Sequence, residues 1–147
     1  MRRTALLAAT AMVATVAAAS TADAATEAYL GGIESESRAH VKLRVAIAAD
    51  ETMTVRSFAV KGLKIDCKGD SKLILTRARL SGEIPVGDSG RFKVRDDNGE
   101  TIFSLRGEIG TVNERAKGRF RYKGDFATGG GGRAECDSGK LRWHARR

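Results

Sequence analysis

From Arg91 to Gly107 apolar and polar residues change places at every step. Phe92 and Val94 alternate with Arg91, Lys93 and Arg95, and beyond Asp96-Asp97-Asn98-Gly99 the residues Phe103 and Leu105 alternate with Ser104 and Arg106. Successive side chains of a strand point to opposite faces, so a period of two predicts two half-buried strands. Asn98-Gly99 readily takes the positive φ of a two-residue hairpin turn. A β-hairpin with one apolar and one basic face is expected here, with further strands built around it.

The same alternation recurs along the chain. Val41, Leu43, Val45 and Ile47 alternate with His40, Lys42 and Arg44 between Arg38 and Ala48. Met53 and Val55 hold one phase, but Phe58 and Val60 hold the other, so one residue near Arg56-Ser57 is extra, as in a β-bulge. Leu63, Ile65 and Cys67 form another short run. Lys72 to Gly82 reads as one strand with Ile74, Thr76, Ala78 and Leu80 inward and Arg77 and Arg79 outward. The single proline, Pro85, is suited to an edge or a connection. Arg115 to Lys123 places Gly118, Phe120 and Tyr122 inward and Arg119, Arg121 and Lys123 outward. Ala134 to Cys136 and Lys140 to Arg146 close the chain, the latter with Leu141, Trp143 and Ala145 on one side. The segment Ala25 to Ser37, with Gly31-Gly32 in its middle, reads as a short edge strand or a loose lead-in.

Seven to nine short strands with regularly spaced turns, and no amphipathic helix, predict an all-β fold. A single antiparallel β-sandwich or small β-barrel is expected over residues 25–147. Phe58, Phe92, Phe103, Phe120 and Trp143 are the expected anchors of its core.

The N-terminal segment lies outside that pattern. Arg2-Arg3, an Ala, Leu and Val-rich run from Ala5 to Ala19, and Ala22-Asp23-Ala24 follow the order of a secretory signal peptide, expected to end near residue 24. The apolar run is about 15 residues, short of the roughly 20 that span a bilayer. Secretion to the periplasm or the medium is therefore expected. Losing Arg2, Arg3 and Asp23 changes the net charge of +8 to +7, which favours anionic neighbours. The only two cysteines, Cys67 and Cys136, both remain, and in an oxidising compartment such a pair is expected to form a disulfide.

The C-terminal run Cys136-x-Ser138-Gly139-x-x-x-Trp143-x-Ala145-x-Arg147, after an earlier lone cysteine and Gly90-Arg91-Phe92, resembles a pattern found in small exported bacterial all-β proteins of unknown function. The resemblance implies a β fold and an exported location. It implies no activity and no catalytic residue.

Motifs for chemistry are few. His40 and His144 are the only histidines, each expected on a solvent face and in no zinc-ligand spacing. Asp96 to Glu100 lacks the length and distal glutamate of a calcium loop and reads as a turn. Gly129 to Gly132 lacks the Lys-Ser/Thr of a phosphate loop and reads as a flexible connection. No Gly-x-Ser-x-Gly is present. No enzyme activity, metal or cofactor is expected.

The basic faces are the most suggestive feature. Lys42 and Arg44, Arg77 and Arg79, Arg91, Lys93 and Arg95, and Arg119, Arg121 and Lys123 all point outward on strands whose alternate residues face the core. An exported non-catalytic binding or structural module is the expected function. It would attach to anionic cell-envelope polymers or lipid head groups through Arg91, Lys93, Arg95, Arg119, Arg121 and Lys123. Charged outward positions also serve simply to keep strands soluble. Sequence-specific nucleic-acid recognition is not expected, because exposed aromatic residues for base stacking are missing. Three rival readings are a small-ligand barrel lined by Phe58, Phe103 and Trp143, a hydrolase with a site assembled across strands, and an inhibitor of a secreted enzyme acting through Ala127 to Arg133.

Overall fold

The structure, a computed structural model, describes residues 24–69, 71–110, 112, 114–127 and 131–147. All of the expected signal peptide except its last residue, Ala24, and Thr128 to Gly130 of the glycine-rich loop, lie outside the described residues.

The described residues form eleven strands: β1 (Ala25–Ile33), β2 (Glu36–Ile47), β3 (Met53–Lys61), β4 (Leu63–Cys67), β5 (Lys72–Leu75), β6 (Ala78–Pro85), β7 (Arg91–Asp97), β8 (Thr101–Gly110), β9 (Arg115–Ala127), β10 (Arg133–Asp137) and β11 (Leu141–Arg146). They pair antiparallel in one sheet. The long strand β9 is its branch point. One edge of β9 pairs with β8, and the other is shared between β11 over residues 115–120 and β10 over residues 123–127. From β9 one arm runs β10-β4-β5 and another runs β11-β1-β2-β3-β6, while β8 carries β7.

The expected count of seven to nine strands is too low. Lys72 to Gly82 is two strands, not one. The chain breaks at Thr76-Arg77, and β5 and β6 end up on different arms of the sheet. Within β5 the phase is opposite to the expected one, with Leu75 buried and Ile74 and Thr76 exposed. Ala25 to Ser37 supplies not an edge but an interior strand, since β1 lies between β11 and β2. At Gly31 the backbones come so close that an added Cβ would sit 1.8 Å from the His144 carbonyl oxygen. Glycine suits close backbone approach of this kind.

Other local readings stand where the pattern placed them. Arg44 pairs with Ser57 and Val45 with Val55, so Arg56 is the extra residue of a bulge in β3. Its guanidinium pairs with Glu83. The β7–β8 hairpin is present with Lys93 opposite Arg106 and Val94 opposite Leu105. Its turn is shifted by one residue from the expected Asn98-Gly99. Asn98 N–H donates to the Thr101 carbonyl, and the reversal centres on Gly99 (φ +86°) and Glu100. The Asn98 side-chain oxygen accepts from the backbone N–H groups of Glu100 and Thr101 at 3.0 and 2.8 Å. A side chain that closes its own turn displaces the expected pair. Cys67 and Cys136 face each other across β4 and β10 and form the disulfide, closing a sequence separation of 69 residues.

Every strand contributes to one core cluster, in which Phe58, Phe120 and Trp143 are among the largest fully buried side chains. Phe58 of β3 lies 6.1 Å from Phe103 of β8, 5.8 Å from Phe120 of β9 and 5.1 Å from Trp143 of β11, ring centre to ring centre. Along the sheet β3 and β8 are five pairings apart. At about 4.8 Å per pairing, a flat sheet would hold them some 24 Å from each other. The sheet therefore bends round so that its apolar face closes on itself, and its polar face is the outside.

Candidate anion-binding face

Antiparallel register turns the outward residues of separate strands into rows. On β7, β8, β9 and β11, Lys93 stands opposite Arg106, Arg106 opposite Arg119, and Arg119 opposite Arg142. All four are exposed. Neighbouring strands are about 4.8 Å apart, so the row sets four cations over roughly 14 Å. Among the described residues no carboxylate forms an ion pair with any of them. Like charges directly opposite each other destabilise a sheet, so this row costs the fold something.

A second row runs beside it: Arg91, Glu108, Lys117 and His144, continued through Gly32 of β1 to His40 and Lys61. His40 and His144 thus flank one glycine across β1, because the first and last strands are neighbours. Their other cross-strand partners are Lys61 and Lys117, and no group of three metal-ligating side chains occurs among the described residues. A groove of about 900 Å³ is lined by Lys93, Arg106, Arg119 and Arg142 together with Arg91, Lys117, Glu34 and Glu108. Gly107, Gly118, Phe92 and Trp143 complete much of its lining.

The six residues expected to bind anions are all on this face, but they divide. Lys93 and Arg119 belong to the unpaired row. Arg91 lies 3.8 Å from Glu108 and Arg95 lies 3.3 Å from Asp97. Arg121 forms a two-pronged pair with Asp137, its Nε donating at 2.9 Å, and Lys123 lies 3.1 Å from Glu135. Glu135 also pairs with Lys68 at 2.6 Å. The Arg121 guanidinium holds the Asp137 carboxyl below its ordinary range, and Lys68 and Lys123 do the same for Glu135. These two acids come from β10, whose position beside β9 was not readable from the sequence.

Arg106 and Arg142 complete the row and were missed as site residues. Both were visible as outward positions of alternating strands. The missing signal was which strands are neighbours: β11 returns from the end of the chain to lie against β9.

A second basic surface lies on β2, β3 and β6. Lys42, Arg44, Lys61, Arg77 and Arg79 line a smaller groove of about 300 Å³ with Leu30 and His40. In it Lys42 and Arg79 stand on either side of Ala59, a small residue that leaves both long side chains access to one notch. The cationic strands, which the sequence left ungrouped, thus form two surfaces.

Of the residues tied to rival readings, Phe58, Phe103 and Trp143 are buried against one another. The centre of the Ala127 to Arg133 loop lies outside the described residues. Comparison with protein-family models, curated proteins and solved structures finds no match.

Proposed function

We propose that this chain is an exported, non-catalytic module that binds a linear anionic polymer through Lys93, Arg106, Arg119 and Arg142. The observation that carries this reading is the run of four directly opposed cations with no carboxylate partner among the described residues. A purely solubilising surface would gain from interspersed acids, as at Arg91, Arg95, Arg121 and Lys123. A polymer carrying phosphate, sulfate or carboxylate groups in series relieves the repulsion of the row by sitting across it, and guanidinium groups suit such oxyanions. We read the sheet as a partly closed barrel, because paired strands run without a break from β7 to β6 and these two ends touch.

A polymer fits better than a lipid surface. Insertion at a membrane interface uses exposed Trp, Phe or Leu beside the cations, and among the described residues Trp143 is buried and the exposed large apolar side chains, Leu30, Ile74 and Val112, are not among those lining the groove of this row. Export is supported by the expected signal peptide and by the disulfide, which persists in oxidising compartments.

The test is retention on immobilised heparin across a salt gradient, with anionic vesicles in parallel. The chain should be held at low salt and released as salt screens the contacts. Arg106→Glu with Arg119→Glu should weaken binding by about tenfold or more, each tenfold being about 1.4 kcal/mol. Indifference of retention to this pair, or binding to vesicles alone, overturns the reading.

A further inference from the structure

The geometry points to a second, independent anion-binding surface on β2, β3 and β6, so that one molecule bridges two segments of anionic polymer. This rests on the proposed function and extends it.

Three observations carry it. The inward ring of Phe58 on β3 meets the inward rings of Phe103, Phe120 and Trp143 on β8, β9 and β11. Two strand groups that meet through their inner faces turn their outer faces away from each other. The Lys93 to Arg142 row and the Lys42–Ala59–Arg79 notch therefore look in opposing directions, and one straight segment of polymer cannot lie on both.

The notch also has the features of an oxyanion seat. Lys42 and Arg79 lie two strand spacings apart, about 10 Å between backbones. Ala59 between them is only 7% exposed although it is on the outer side, so the neighbouring side chains cover it. Arg44, Lys61 and Arg77 surround the same groove. None of these five cations has an ion pair with a carboxylate among the described residues. Their charge is thus as uncompensated as that of the first row, and the same class of ligand complements it.

The experiment is a two-step capture. The chain is bound to heparin on a surface at low salt, washed, and exposed to fluorescent heparin in solution. Wild type should recruit soluble polymer in proportion to captured protein. Lys42→Glu with Arg79→Glu should still be captured, through the first row, but recruitment should fall at least tenfold. Arg106→Glu with Arg119→Glu should behave in the same way, captured through the second surface. Should a glutamate pair fail to fold, the neutral pair Lys42→Gln with Arg79→Gln is read instead.

Capture of wild type without recruitment overturns the bridging inference and leaves the proposed function standing. So does undiminished recruitment by the Lys42/Arg79 pair, which would mean that bridging comes from association of two copies through the first row. Failure of wild type to be captured at all overturns both.

Discussion

At the scale of single residues, the cations of this protein differ by what stands beside them. Arg121 is committed to Asp137, whereas Arg119, two residues earlier on the same strand, faces only other bases across the sheet. Two expectations follow from that contrast. Arg119→Thr removes a like charge from the middle of the row and places a strand-favouring residue there. It should raise stability by about 0.5 kcal/mol in denaturant unfolding while lowering the salt needed to elute the protein from heparin. A residue that only keeps the surface soluble would not show these opposite signs. The second expectation concerns pH. Asp137 and Glu135 have carboxyls lowered by their basic partners, so their contribution to stability is present at neutral pH and is lost as acidity reaches the depressed range. Protonation there also frees Arg121 and Lys123. At pH below the ordinary carboxylate range, binding to a sulfated polymer, which stays charged, should therefore strengthen while the melting temperature falls.

At the scale of elements, β9 and the strands on its edges hold the site together. Trp143 of β11 lies beneath the first row, between Phe58 and Phe92, and is fully buried. Trp143→Ala should cost about 3–5 kcal/mol. Trp143→Phe should cost less, since among the described residues the buried indole N–H has no hydrogen-bond partner to lose. The disulfide ties β10 to β4, and with it the acids that neutralise Arg121 and Lys123. Replacing both cysteines by alanine should destabilise the chain by roughly 4 kcal/mol on the chain-entropy account of a loop this long, measurable as a lowered urea midpoint. Polymer binding at low salt should survive that change, because β7, β8, β9 and β11 are paired independently of β10.

At the scale of the whole molecule, the bend of one sheet around one core sets where charge is displayed. The basic strands appear in the sequence as similar short runs with nothing to group them. The bend divides them into two surfaces and places His40 and His144 on either side of Gly32. It also sends β5 and β6, adjacent in the chain, to different arms. Binding that depends on both surfaces should show a steeper fall with salt than binding to a short oligomer able to occupy only one, since more contacts are screened together.

The sequence by itself determined which side of most strands faces water, where the bulge in β3 falls, and that the two cysteines meet. Alternation, a slip of phase and an isolated cysteine pair are properties of short stretches or of simple counting. The phase of Ile74 and Leu75 misled because β5 is short and at an edge, where few neighbours enforce burial. Only the tertiary structure decided which strands lie side by side, and hence that Arg106 and Arg142 join Lys93 and Arg119 while Asp137 and Glu135 claim Arg121 and Lys123. Strand order is settled by how the whole apolar face closes over Phe58 and Trp143, a long-range matter of packing that no local run of residues encodes.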